Sequence, residues 1–348
     1  MTRRGMGLTT VLVALMAGFG LAVYSGLGVI RHFHDRSTAA VGGAAEAADL
    51  HPLISLPGSL FVAGGGDLLR IRGDGVTAVL THDAERRWMQ PAVTADGSLV
   101  VVARSAESSD LYRSAADGSG LQRLTDDAAA PLRDGSLERN HWVFHPRAGA
   151  DGRLWYSYDA PKDGFRVDLA VWSRQTAGAV ATRWSSPVGY TGGDVEPVPV
   201  PSGGVIYARY VIGAGSEIRS QLWLQSGPRD PGHALTATDD DCSQPDLAPG
   251  GRILAMVCTQ GGQGARIEVA SFDGRTLGTP RVLAAGSLSA FPTWAPDGGG
   301  LAYLAPAATG GDFTLWWLAG AGGATPSAAR QVLEGVALDA TSRPAWGS

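Results

Sequence analysis

Residues 291–298 read Phe-Pro-Thr-Trp-Ala-Pro-Asp-Gly, followed by the apolar run Leu301–Ala305 and then by Phe313–Leu318. The same frame recurs upstream as Gln244-Pro245 through Gly250-Gly251, as Glu196-Pro197 through Pro201, and as Gln90-Pro91 through Asp96-Gly97. A degenerate copy starts at His141-Trp142 and reaches Asp151-Gly152 through an enlarged turn, and the last copy is Arg343-Pro344-Ala345-Trp346. Anchored at 91, 142, 197, 245, 292 and 344, the copies are spaced 51, 55, 48, 47 and 52 residues apart. A period of about 50 identifies a repeat architecture before any single element is assigned.

Each copy reads as four short strands. A Pro-containing strand runs into an Asp-Gly or Gly-Gly turn, where positive φ is tolerated, and the turn predicts a tight hairpin. A β-branched or aromatic run follows, such as Leu99–Ala103 or Val205–Tyr210. A third strand carries Leu111-Tyr112-Arg113, Leu222-Trp223-Leu224 or Leu315-Trp316-Trp317, and a fourth ends in Leu-Thr at 80–81, 124–125 and 235–236. Four strands per copy in a ring make an all-β, six-bladed β-propeller, which removes exposed sheet edges by radial repetition. The first copy, Leu60 to Thr81, lacks its Pro strand, whereas Ser342–Trp346 is a Pro strand with nothing after it. The C-terminal strand is therefore expected to complete the first blade.

The repeat resembles that of the TolB-like propeller family, of the form P-x-W-S-P-D-G, an apolar strand and a strand ending in L-T. The match spans about residues 56–348. It is close in FPTWAPDGGGLAYLA and in SSDLYRSAADGSGLQRLTDD, and loose around 130–190. The resemblance implies an exported, WD40-like propeller of the kind that binds other proteins. The resemblance is to the propeller alone: no counterpart of the separate α/β domain that precedes it in TolB is expected in the 55 residues upstream, which puts a Tol-Pal role in doubt.

Ahead of the repeats, a short flank at 1–7 is followed by Leu8–Ile30, 23 residues without a charge. As a helix this run would span about 34 Å, enough for a bilayer core. It is read as a transmembrane helix or signal anchor, with 31–55 as a flexible tether. The expected location is the cell membrane, single-pass, with the propeller periplasmic or extracellular, or secreted if the N-terminus is cleaved. Flanking charges are balanced, so orientation is not read from them.

Composition narrows the chemistry. Charged residues are 18% of the chain and the net charge is −5, which excludes a basic nucleic-acid platform. Lys162 is the only lysine, so an amine nucleophile has one possible carrier. There is no G-x-S-x-G elbow, phosphate-cradling glycine loop or zinc-spaced cysteine pair, and no cofactor is expected. His141 and His145 sit four strand positions apart, about 13 Å, too far to chelate one metal. Asp126-Asp127 and Asp239–Asp241 follow no EF-hand spacing and read as solvated loops. The two cysteines, Cys242 and Cys258, lie symmetrically about the Pro249-Gly250-Gly251 turn, which makes them cross-strand partners at disulfide distance.

Candidate function concentrates where the Pro strands begin. Gln90, His141, Glu196, Gln244 and Arg343, together with Trp88, Arg139 and Asp194, are expected to ring a channel mouth that takes a protein or peptide ligand. Two alternatives remain open: a lyase or hydrolase using Glu138, Arg139, His141, Asp194, Glu196 and Arg343, or an accessory subunit whose outer blade faces are the interface.

Overall fold

The structure, a computed structural model, describes residues 50–127, 140–160, 168–175, 180–187, 189–260, 262, 264–285 and 288–347. The apolar run 8–30, most of the expected tether, Glu138 and Arg139 lie outside the described residues. The expected single-pass location is corrected: among the described residues no helix is long and apolar enough to cross a membrane.

Six four-stranded antiparallel sheets are formed, one per copy of the repeat. In five of them chain order is sheet order, each strand pairing with its neighbours in the chain. The inner strands are Arg87–Val93, Val143–Ala148, Asp194–Pro199, Cys242–Leu247 and Ala290–Trp294 in blades 2 to 6. Blade 1 is completed as expected. Ala345–Gly347 pairs with Ser59–Gly64, with Leu60 opposite Trp346 and Phe61 opposite Ala345.

Because side chains alternate between the two faces of a strand, each blade buries both faces against its neighbours. The core is accordingly divided into seams. Phe61, Leu68 and Leu80 of blade 1 meet Trp88, Leu99 and Val101 of blade 2. Met89 and Val102 meet Val143 and Tyr156, and Trp155 and Val171 meet Val205 and Tyr207. Further seams join blades 4 and 5, 5 and 6, and 6 and 1.

The third blade corrects the sequence frame. The proline equivalent to Pro91 is Pro146, not the position of Trp142, and His145 is the residue before it. In blades 2, 3, 5 and 6 the second residue of the hairpin turn stands five residues after this proline: Asp96, Asp151, Gly250 and Asp297. The turn of blade 3 is therefore not enlarged. The residues preceding the prolines share one backbone feature: Gln90, His145, Glu196, Gln244 and Phe291 have φ of 50, 54, 57, 54 and 48°. Strand register shifts at each of these positions, so each inner strand carries a bulge at its X-Pro step.

Candidate functional site

The bulges decide where the channel side chains go. Ordinary inner-strand residues face the neighbouring blades, and positive φ releases the bulge residue from that alternation. Gln90 Oε1 accepts the His145 N–H of the next blade at 2.8 Å. Glu196 Oε2 accepts the Gln244 N–H at 2.6 Å, and Gln244 Oε1 accepts the Phe291 N–H at 2.6 Å. Where the side chain is His145, the hydroxyl of Ser157 takes over, accepting the Glu196 N–H at 3.2 Å and lying 3.3 Å from His145 Nδ1. At the closing seam Ser342 Oγ accepts the Gln90 N–H at 2.6 Å, and Gln90 Nε2 donates to Thr341 O at 3.0 Å. Arg343 lies over the Phe291 ring at 5.4 Å. One belt of polar contacts thus runs around the inner ring.

Of the sequence-predicted mouth residues, Gln90, Glu196, Gln244 and Arg343 are brought together in this belt. Gln90, Glu196 and Arg343 are all buried. Trp88 is not at the channel: it packs in the blade 1–2 seam, edge-on to Tyr112 at 5.4 Å, with Nε1 donating to Thr81 O at 2.9 Å. Asp194 is fully buried in a bidentate pair with Arg209 at 2.7 and 2.9 Å, and Arg209 in turn lies 4.2 Å over Trp223. His141 stands half-buried beside Tyr158, with Nδ1 3.1 Å from Asp159 Oδ1. Arg139 lies outside the described residues. The Cys242–Cys258 disulfide is formed across the first pair of blade 5, with Cα atoms 4.1 Å apart.

A second ring, one residue past each proline, was not singled out in the sequence. Ala92, Arg147, Asp246, Thr293 and Ala345 line a cavity of about 200 Å³ that extends to Pro249 and Pro296, near the hairpin turns. Arg147 Nη2 pairs with Asp246 Oδ1, and Arg343 Nη1 lies 3.6 Å from the same oxygen. Asp246 Oδ2 accepts the Trp294 N–H at 2.7 Å. The signal for this ring is the frame itself: once Pro146 is the anchor, Arg147 and Asp246 occupy equivalent positions.

Burial sets the electrostatics. It pushes the His145 imidazole down to about 3, reinforced by the Arg343 guanidinium, so His145 is neutral at pH 7. Burial raises the Glu196 carboxyl, against the pull of Arg343 and the Gln244 N–H. Burial also lowers Arg343 to about 10, with repulsion from Arg147 adding to the shift and attraction to Asp246 and Glu196 opposing it. Among the described residues no group of three or more His, Cys, Asp or Glu is placed to hold a metal ion.

No family model and no curated protein sequence matches the chain. Solved structures do. TolB from Acinetobacter baumannii superposes with a TM-score of 0.63 at 15% identity, over 89% of this chain and 68% of that one. A putative TolB from Agrobacterium tumefaciens gives 0.53 at 13% identity, over 82% and 92%. A chain of the nidogen/laminin complex gives 0.55 at 12% identity, over 83% and 98%. At these identities the likeness is one of fold: this chain is a six-bladed β-propeller similar in fold to the TolB structures.

Proposed function

We propose that the propeller is a protein- or peptide-binding module whose partner docks on the end of the ring where the inner strands begin. The observation that carries this reading is the hairpin of blade 4. Its strands, Val205–Ile212 and Ile218–Gln225, are the longest among the described residues at eight residues each. They run past the start of their own inner strand, so that Ile212 and Ile218 face each other at the tip, 61% and 57% exposed. Thr191 Oγ1 donates to Tyr210 O at 2.8 Å, which seats Tyr190, 61% exposed, beside the same hairpin. Single exposed apolar residues need no explanation, but two isoleucines paired at a projecting tip beside a tyrosine offer a contact surface. The half-buried His141, which precedes the inner strand of blade 3, belongs to the same end. Likeness in fold to a chain solved within the nidogen/laminin complex agrees with a partner-binding role. The disulfide suits an oxidising compartment.

The test is crosslinking and capture from the native source, comparing the wild-type chain with Ile212→Asp/Ile218→Asp and with Glu196→Gln. The expected result is one partner lost in the hairpin variant and kept in the Glu196 variant. Capture that ignores the hairpin, or no partner for the wild-type chain, overturns the reading.

A further inference from the structure

The two ends of the ring differ in charge. At the end where the inner strands begin lie the loops between the second and third strands of each blade and the connections from one blade to the next. Their described residues hold fourteen aspartates and glutamates against two arginines, of which Arg343 is buried and Arg86 is paired with Asp83. The described loops at the opposite end hold seven acids against four arginines. A chain of net charge −5 thus gathers its excess of acid on one face. Internal pairing accounts for part of this excess: Asp126 pairs with Arg123, and Glu217 and Asp241 share Arg219. It does not account for Glu85, Glu107, Asp239, Asp312 and Glu334. Each of these is exposed, and none has a side-chain hydrogen bond or ion pair among the described residues. They stand at the joins of blades 1–2, 4–5 and 6–1 and on the hairpins of blades 2 and 6, so they encircle the mouth. Asp241 Oδ1 accepts the Ser220 N–H at 2.8 Å, which holds the run Asp239–Asp241 against the blade 4 hairpin, two residues from Ile218.

We propose that the segment docking on this end is basic, with lysine or arginine side chains set among apolar ones. This inference rests on the reading that the partner binds at the blade 4 hairpin, and it names the chemistry of that partner. Like charges held on one face without internal partners repel one another, and a cationic ligand relieves the repulsion. The same field draws a basic segment to the mouth and turns an acidic one away, which sets partner choice and association rate more than affinity. Ile212, Ile218 and Tyr190, all exposed at the hairpin, supply the apolar contact that the carboxylates do not. The acids are spread around the ring, and among the described residues no three are placed to hold one metal ion. The complement is therefore a row of cations on a chain and not a single ion.

The experiment measures fluorescence anisotropy of two labelled peptides with the full chain: Lys-Leu-Gly-Lys-Leu-Gly-Lys and its counterpart with Glu at every Lys position. Raising NaCl from about 20 mM to about 300 mM shortens the screening length from roughly 21 Å to roughly 6 Å. The lysine peptide is expected to bind saturably at low salt, at least tenfold more tightly than the glutamate peptide, and to lose at least tenfold at high salt. The rim variant Glu107→Gln/Asp239→Asn/Glu334→Gln should weaken it by about fivefold. Asp74→Asn/Asp117→Asn/Asp273→Asn removes the same charge from exposed positions at the opposite end and should change affinity by less than twofold. No saturable binding, equal binding of the glutamate peptide, indifference to salt, or equal losses in the two triple variants overturns the proposal. The hairpin variant Ile212→Ser/Ile218→Ser separates the two readings. Loss in the rim variant alone supports a basic ligand and removes the hairpin from its footprint. Loss in the hairpin variant alone overturns the basic ligand and leaves the hairpin reading standing.

Discussion

Trp346→Ala probes whether the ring is held by its closing strand. The indole is 9% exposed and packs with Leu60, Ile71 and Leu333 in the blade 6–1 seam. It stands edge-on to Trp317 at 5.6 Å and donates from Nε1 to Thr293 O at 3.2 Å. A buried aromatic removes roughly 150–250 Å² from water, worth about 4–6 kcal/mol at about 25 cal/mol per Å². The hydrogen bond adds about 1 kcal/mol, while relaxation of the cavity returns part of the total, so the measured cost of such truncations is about 3–5 kcal/mol. At roughly 2–4 °C per kcal/mol for a large domain, Tm should fall by about 6–20 °C. Urea unfolding, followed by both circular dichroism and tryptophan fluorescence, measures it. The control is Trp316→Ala, a half-buried indole in the neighbouring blade 6 that is not part of the closure. Trp346→Phe, keeping the packing and losing the hydrogen bond, should cost only about 1 kcal/mol. A Trp346→Ala loss no larger than that of Trp316→Ala refutes the claim that the three-residue strand Ala345–Gly347 carries ring stability.

Other expectations are more local. Reduction, or Cys242→Ala/Cys258→Ala, opens a loop of 16 residues and should lower stability by about 3 kcal/mol; thiol titration of the unreduced protein should find no free cysteine. Gly193→Ala and Gly97→Ala both place a side chain at positive φ, 89° and 80°, but only the first drives its Cβ to 2.1 Å from Leu169 O. Gly193→Ala should therefore cost well over 2 kcal/mol and Gly97→Ala about 1 kcal/mol by thermal unfolding. Because His145 is depressed to about 3 from 6.5, the native state binds fewer protons than the unfolded chain between those values. Its contribution is present above pH 6.5 and is lost as pH falls toward 3, at no more than about 1.4 kcal/mol per unit, and His145→Gln should flatten that limb. Glu196 has the opposite sign: its carboxyl is raised above 4.5, so its contribution is present below that pH and is lost as pH rises through the folded value. Glu196→Gln should remove that decline in a pH series of urea midpoints.

The blade count, the closure and the disulfide were legible because each depends on spacing alone. A proline, a turn residue five positions later and an apolar run mark a blade whatever fills the gaps, and two cysteines equidistant from a turn must meet across it. The third blade was misframed because Trp142 matched the aromatic character of the repeat, while His145-Pro146 carried the spacing. Shifting the anchor by four residues replaced His145 by His141 in the channel list and hid Arg147. The direction of the remaining side chains was not legible for a physical reason. Simple alternation puts Trp88 and Gln90 on one face, yet Trp88 enters a seam and Gln90 joins the belt, because positive φ at Gln90 breaks the alternation. Nothing in the identity of a glutamine before proline announces a left-handed conformation. Asp194 looked like a mouth acid until its cross-strand partner, Arg209, was in place.

Closure by Ala345–Gly347 also has a consequence for biogenesis. Ser59–Gly64 leaves the ribosome early, but the strand that covers its free edge is made about 280 residues later. At about 5–20 residues per second, that edge waits roughly 14–56 s with its backbone donors and acceptors unpaired. It is short and flanked by the strand Asp67–Arg72 on one side only, so throughout synthesis it is a template for pairing with other nascent chains. Ribosomes translating this message in close succession would hold many such edges at once, which makes chaperone supply and translation speed, more than the stability of the finished ring, the factors governing its yield.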